Sequence, residues 1–298
     1  MGVLSQLLNG ALAASVLLAL TCTALVGQLV WLRVVSLSLA ASFAAGAYTA
    51  HLAVSSLHTD SVAIALFAAA LGGGLCASVG ALLDSTFHRK GAALALMCSL
   101  GFVTVIQGLM TFLTGGGVTA FGLNVVNPFA GGAWLGQPSW LPLGIAMASF
   151  AAGTQFWIGR TWAGRAAVAI GDSVELALVL GVNPRSCQLL IQTVGGAVAG
   201  AAGLLGALDA GLRPDIGFAV VLKAFGILLA SGSSLWHVLA WAAGLVVMEQ
   251  FVGFMWGGQL REATGPTFLA LVLLAGMIRE RTRGNRIQRR VVAPGEPT

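Results

Sequence analysis

Two ionisable side chains interrupt otherwise apolar stretches of this sequence: Lys223 in IGFAVVLKAFGILLAS and Glu249 in SLWHVLAWAAGLVVMEQFVGFMW. A charge inside an apolar helix is expensive in lipid, so such a group faces a bundle interior or a water-filled path. Lys223 is expected to line a path or, the favoured reading, to pair with a helix C-terminus or an acid such as Asp209. Glu249 reads as partner to an intramembrane donor before it reads as a substrate-facing acid. Gln107 and Gln192 suit interhelical hydrogen bonding as well as path lining. His51 and His58 have no second ligand at metal spacing and read as interfacial. Cys22, Cys76, Cys98 and Cys187 lie in or beside apolar runs with no CxxC spacing, the pattern of small buried hydrophobes. No Ser/His, Asp/Asp or H-E-x-x-H set appears at suitable depth. There is no G-x-x-x-x-G-K-[ST] phosphate loop either. The chain is therefore expected not to be an enzyme and to bind neither metal nor cofactor itself.

The elements that must carry these groups follow from composition. Hydrophobic residues make up 57% of the chain and charged residues 8%, and the mean hydropathy is +0.91. A soluble domain carries about 25% charged residues, so lipid is the solvent. There every backbone polar group must be paired internally, which restricts spanning elements to helices or closed barrels. The apolar runs are continuous over about 20 residues, as helices require, rather than alternating as barrel strands do. The expected fold is an all-α polytopic transmembrane bundle of eight or nine segments. The runs lie at 7–27, 34–56, 61–83, 91–114, 138–158, 186–208, 216–231, 234–256 and 264–279. The 216–231 run is short and holds Lys223, so a broken or re-entrant element is expected there. Residues 1–285 are expected to form one membrane domain and 286–298 a basic cytoplasmic tail.

Orientation follows from the basic residues. Under alternating spans Arg33, Arg89, Lys90, Arg160, Arg165, Arg185 and the six tail arginines share one side, twelve of the fifteen basic residues. That side is expected to be cytoplasmic, with the N-terminus outside and the C-terminus inside. The net charge of +5 then reflects topology and contact with lipid headgroups, not nucleic acid. The 115–137 segment, rich in Gly, Asn and Pro, is expected outside, where Trp134 and Trp140 suit the interfacial belt.

The inner loop at 160–185 is the most informative stretch. Asp172 to Leu180 reads as a short helix, with Asp172 or Ser173 as cap and Gly181 as stop. Asn183-Pro184 then turns the chain into the next span. Leu176, Val179 and Leu180 share one apolar face, which either the protein's own helix ends or a groove on a soluble subunit must cover. Gly196-x-x-x-Gly200, overlapped by Ala199-x-x-x-Gly203, lets a neighbouring backbone approach, as does Gly72-Gly73-Gly74. Leu32-Arg33 to Gly46 and Leu212-Arg213 to Gly226 share one arginine-to-glycine spacing, on opposite expected sides, as in an inverted repeat.

The order R-A-x-A…E-L-A…L-G-V-N-x-R from Arg165 to Arg185 resembles the permeases of ABC importers for branched-chain amino acids. Glu175, Ala177 and Gly181 resemble the E-A-A-x-x-x-G loop of importer permeases. Gly195 to Gly203, Leu222-Lys223-Ala224-Phe225 and Gly232-Ser233-Ser234-Leu235-Trp236 resemble that family's later motifs. Leu8-Asn9-Gly10, Leu32-Arg33-Val34-Val35, Gly46-Ala47-Tyr48 and Ile106-Gln107-Gly108-Leu109 fit upstream. The chain departs from the family at Ser36-Leu37-Ser38-Leu39-Ala40 and at Leu229-Ala230-Ser231-Gly232-Ser233.

The resemblance implies a permease subunit of an ATP-driven importer in the bacterial inner membrane, moving a small solute such as a branched-chain amino acid, amide or urea-like compound by alternating access. The implied partners are a second permease, two ATPase subunits that hold ATP and Mg, and an external solute-binding protein. Asp172, Glu175, Leu176, Ala177, Val179, Leu180, Gly181 and Arg185 would couple to the ATPase. Lys223, Glu249 and Gln107 would lie on or near the path. An ion-gradient-driven transporter is the alternative, and it requires intramembrane acids. Asp60, Asp84 and Asp209 sit near span ends, which leaves Glu249.

Overall fold

The computed structural model describes residues 3–58, 61–87, 91–115, 159–231, 235–256 and 264–272, with a few residues between 145 and 156 and residue 274. Helix α1 (Val3–Val26) runs directly into a π-helical turn (Gly27–Trp31). After a non-helical stretch come α2 (Ser38–Leu57), α3 (Val62–Phe87) and α4 (Ala92–Thr114). Then follow α5 (Trp162–Asp172), α6 (Val174–Val179), α7 (Pro184–Ala210), α8 (Ile216–Ser231) and α9 (Leu235–Trp256). Residues 264–272 are also helical. The expected span at 138–158, the 115–137 segment, the end of the 264–279 span and the basic tail lie wholly or largely outside the described residues.

Four stretches are long and apolar enough to cross a bilayer: Ala14–Trp31, Val62–Thr86, Ala93–Thr114 and Pro184–Ala210. Shorter apolar stretches occupy Ile216–Ser231 and Ala240–Met255. The protein is thus an all-α, multi-pass membrane bundle. Lipid accounts for the large apolar side chains that α3 and α4 turn outward, among them Phe67, Leu71, Leu75, Met97 and Phe112, because no water has to solvate them.

The 216–231 element departs from expectation. It is one unbroken helix, and 16 residues at about 1.5 Å each reach only about 24 Å. It is a short helix, not a broken one.

Small residues set the centre of the bundle. α7 lies against α2 and α3 with glycines at the crossings. A Cβ built on Gly73 would sit 2.7 Å from the Gly200 Cα, and one on Gly196 would sit 2.8 Å from the Gly73 carbonyl oxygen. Gly203 meets the Phe43 backbone and Gly46 meets Gly200 with no room for a side chain. Backbones this close are held by van der Waals contact, which lipid cannot supply equally well. Around this seam α1, α8 and α9 share an apolar cluster that includes Leu18, Cys22, Leu25, Val221, Ile227, Val238 and Leu245.

Candidate functional site

Two parts of the molecule combine geometry with chemistry: the 160–185 loop and a charged cavity at the far end of α1.

In the loop, the short helix expected from Asp172 to Leu180 is α6, and a second helix, α5, runs up to it. Asp172 is the last residue of α5 and not a cap. The extended backbone of Ser173 (φ −157°, ψ 113°) separates α5 from α6. Asp172 instead faces the α1–α2 connection, where its Oδ1 lies 2.9 Å from Arg33 Nη2. The stop is where glycine is needed. Gly181 has φ +79°, its N–H donates to the Leu178 carbonyl at 3.0 Å, and the Val182 N–H reaches back to Ala177 at 3.0 Å. This paired pattern ends a helix sharply and satisfies its last carbonyls. Asn183 then caps α7: its Oδ1 accepts from the Arg185 N–H at 3.1 Å, and Pro184 occupies the first helical turn.

The faces divide clearly. Ala177 is fully buried with Ala166, Ala167, Ile170, Val182 and Ile191. It therefore holds the loop together rather than presenting itself to a partner. Val179 is 85% exposed and Leu180 68%. Glu175 and Arg185 are exposed beside them, and the Leu176 side chain lies outside the described residues. Sequence reasoning missed the neighbouring apolar side chains Trp162, Val174 and Leu178, which are also exposed. It missed α5 itself, whose buried face of Gly164, Ala166, Ala167 and Ile170 has a single large apolar residue.

The second place is a cavity of about 580 Å³. Leu17 and Leu18 of α1 form one wall, Ala219 and Lys223 of α8 another, and Glu249 of α9 a third; Asp209, Arg213 and Asp215 also line it. Lys223 Nζ lies 2.6 Å from Glu249 Oε1, with the two side chains 19% and 5% exposed. Thr264 Oγ1 donates to the same carboxylate oxygen at 3.0 Å. The lysine stem runs over Gly265, where a Cβ would come within 2.6 Å of Lys223 Cγ. The ion-pair partner of Lys223 is thus Glu249, and Asp209 shares the cavity. Arg213 and Asp215 form a looser, more exposed pair at 3.4 Å. Gln107 is not brought to this place: it lies half-buried on α4, which packs against α2 and α3 and contributes nothing to the cavity lining.

A third polar contact was missed as a pair. Gln192 Nε2 donates to Asp84 Oδ2 at 3.3 Å between α7 and α3, with both groups buried. Gln28, in the π turn, is buried as well, and its amide has no partner among the described residues. The four cysteines are free thiols.

The family described as "Branched-chain amino acid transport system / permease component" matches residues 7–278. The high-affinity branched-chain amino acid transport system permease protein BraD of Pseudomonas aeruginosa is 30% identical over 124 residues, covering 41% of this chain and 40% of that protein. The autoinducer 2 import system permease protein LsrC of an Enterobacter species is 29% identical over 146 residues, or 47% of this chain and 40% of that one. The matched region thus spans about 40% of the length of these curated relatives. The solved structure of PsaBC from Streptococcus pneumoniae in complex with Fab aligns over 89% of this chain and 90% of its own, at a TM-score of 0.47 and 14% identity. With a family match that covers the charged cavity, the loop and the glycine seam alike, the chain belongs to the family of permease components of branched-chain amino acid transport systems.

Proposed function

We propose that the chain is the membrane-spanning permease subunit of an ATP-driven importer, moving a small solute such as a branched-chain amino acid, amide or urea-like compound by alternating access. It would work with a second permease, two ATPase subunits that hold ATP and Mg, and an external solute-binding protein. The observation that carries the reading is the α5–α7 loop. Its short helix is ended by a left-handed glycine and backed by a buried Ala177, and it turns Val179 and Leu180 outward between arginines. Lipid does not explain such a knob, because flanking arginines belong in the headgroup region or in water. A groove on a soluble subunit does. The distribution of arginines supports placing this loop in the cytoplasm, and the cavity then opens toward the outside.

Transport driven by an ion gradient is less well supported. It needs an intramembrane carboxylate that loads and unloads a proton or cation. Glu249 is instead held by Lys223 and Thr264, and Asp84 by Gln192.

The test is purification of this chain from native membranes by a tag, followed by identification of what accompanies it. Recovery of an ATPase that leaves when Leu180 is replaced by Asp supports the reading. A chain that purifies without an ATPase under mild detergent, yet transports in vesicles on an ion gradient alone, overturns it.

A further inference from the structure

We infer that α1 is the lever that carries movement of the 160–185 loop to the charged cavity, with Arg33 and Gly171 as the positioning residues that clamp the loop to it. The inference rests on the importer reading above.

One helix joins the two places. Leu17 and Leu18 wall the cavity, while the π turn at Gly27–Trp31 lies against the loop. From Leu18 to Trp31 is roughly 20 Å at about 1.5 Å per residue. Near the cavity α1 also touches the helix that bears the lysine: Cys22 Sγ points at the Ala224 carbonyl at 3.9 Å, next in sequence to Lys223.

At the loop end the clamp has four independent components. Gly171 packs directly on the Trp31 carbonyl oxygen, where no Cβ fits. A Cβ on Gly159 would meet the Trp31 ring at 3.1 Å. Asp172 pairs with Arg33 at 2.9 Å. Leu32 and Val34 join Ala166, Ala167 and Ile170 in one buried cluster. The ion pair is exposed, and exposed pairs add little to stability. Its contribution is therefore to register, by holding the end of α5 to the end of α1.

The clamped segment is also built to change. The Leu32 N–H reaches Gly27, and the Val34 N–H reaches Gln28, so the helix is wound more loosely than i→i−4. Arg33 is held at φ +52°, a left-handed conformation that a non-glycine residue tolerates only under constraint. The Gln28 amide makes no hydrogen bond among the described residues. A one-residue shift between π and α winding would rotate this turn and tilt α1 about its backbone contact with α7, where Gly195 meets the Ala24 carbonyl. Coupling requires such a two-state element, not mere adjacency.

The experiment uses the complex with its ATPase, in a chain whose four native cysteines are replaced and Ala219, on the cavity wall, is changed to Cys. The rate of maleimide labelling is measured with and without ATP plus vanadate. In the otherwise unmodified complex the trapped state should change that rate. Gly171→Val and Arg33→Asp should retain the ATPase but reduce the nucleotide-dependent change by at least about threefold. The reciprocal pair Arg33→Asp with Asp172→Arg should restore it, and in the Arg33→Asp single variant the loss should come with unchanged thermal stability, which a merely structural role for Arg33 would not produce. A labelling response that survives in both single variants overturns the lever. So does a response absent from the unmodified complex. Failure of any ATPase to co-purify overturns the importer reading, and the inference with it.

Discussion

Lys223 and Thr264 converge on a single oxygen of Glu249, at 2.6 and 3.0 Å, so one carboxylate ties α8, α9 and the helical residues after 263 together inside the membrane. Removing one partner from a buried pair leaves the other charge uncompensated, at about 3–5 kcal/mol. Lys223→Met should therefore lower the yield and melting temperature of the assembled protein. Lys223→Met combined with Glu249→Gln should recover much of that loss. Size-exclusion yield and thermal unfolding in detergent measure it. Normal assembly of the single variant with an altered solute preference would show that the lysine serves the path before the fold.

Gly200 should not tolerate enlargement. A Cβ there would overlap the Ala69 backbone and come within 2.9 Å of the Gly73 Cα. Since both neighbours are backbone, neither can rotate away. Gly200→Val is expected to cost at least about 1–3 kcal/mol, read as a lower melting temperature. A Gly101→Val control, at a glycine with nothing within 4 Å, should cost far less.

The loop stop gives a graded test. Gly181 sits at φ +79°, where a β-branched residue is strained and asparagine is tolerated. Left-handed geometry costs a non-glycine residue about 1–2 kcal/mol. Gly181→Val should reduce co-purification of the ATPase while the chain stays in the membrane, and Gly181→Asn should reduce it less. Equal retention by both variants, together with full solute uptake, would separate this loop from coupling.

Sidedness is checked with thiols. A cysteine placed at Val179, 85% exposed, is expected to resist an impermeant maleimide in intact cells and to react in inverted vesicles. One placed in the 115–137 segment should behave oppositely. Labelling of Val179→Cys from outside would reverse the assigned orientation.

What could be read in advance divides along physical lines. Helix positions were legible because a run of apolar residues long enough to cross lipid has few other solutions. Gly181 was legible because its conformation excludes most other residues. The Lys223–Glu249 pair was legible only in halves. Each charge announced that it needed a partner, but two helices consecutive in sequence carry no mark of their relative rotation, and Asp209 was as good a candidate on paper. The α5 helix left a weak trace because its inner face is mostly glycine and alanine, with Ile170 its one large side chain. The π turn and the left-handed Arg33 left none: the backbone beside them packs on Gly171, a contact between segments about 140 residues apart that no local pattern announces.

The glycine seam between α7 and its neighbours divides the molecule mechanically. Where backbone lies on backbone at Gly73, Gly196, Gly200 and Gly203, there are no long side chains whose rotamers can absorb a displacement, so α2, α3 and α7 behave as a chassis. The same kind of contact pins α1 and α8 to this frame at single points, Gly195 on the Ala24 carbonyl and Gly217 on the Ala40 carbonyl, while α1, α8 and α9 meet one another through leucine, valine and isoleucine side chains that can re-seat. Amide hydrogen exchange should show the division directly. Amides of α7 around Gly200 should be the slowest to exchange and those of the π turn among the fastest, so that the same chain contains a fixed frame and the part that swings on it.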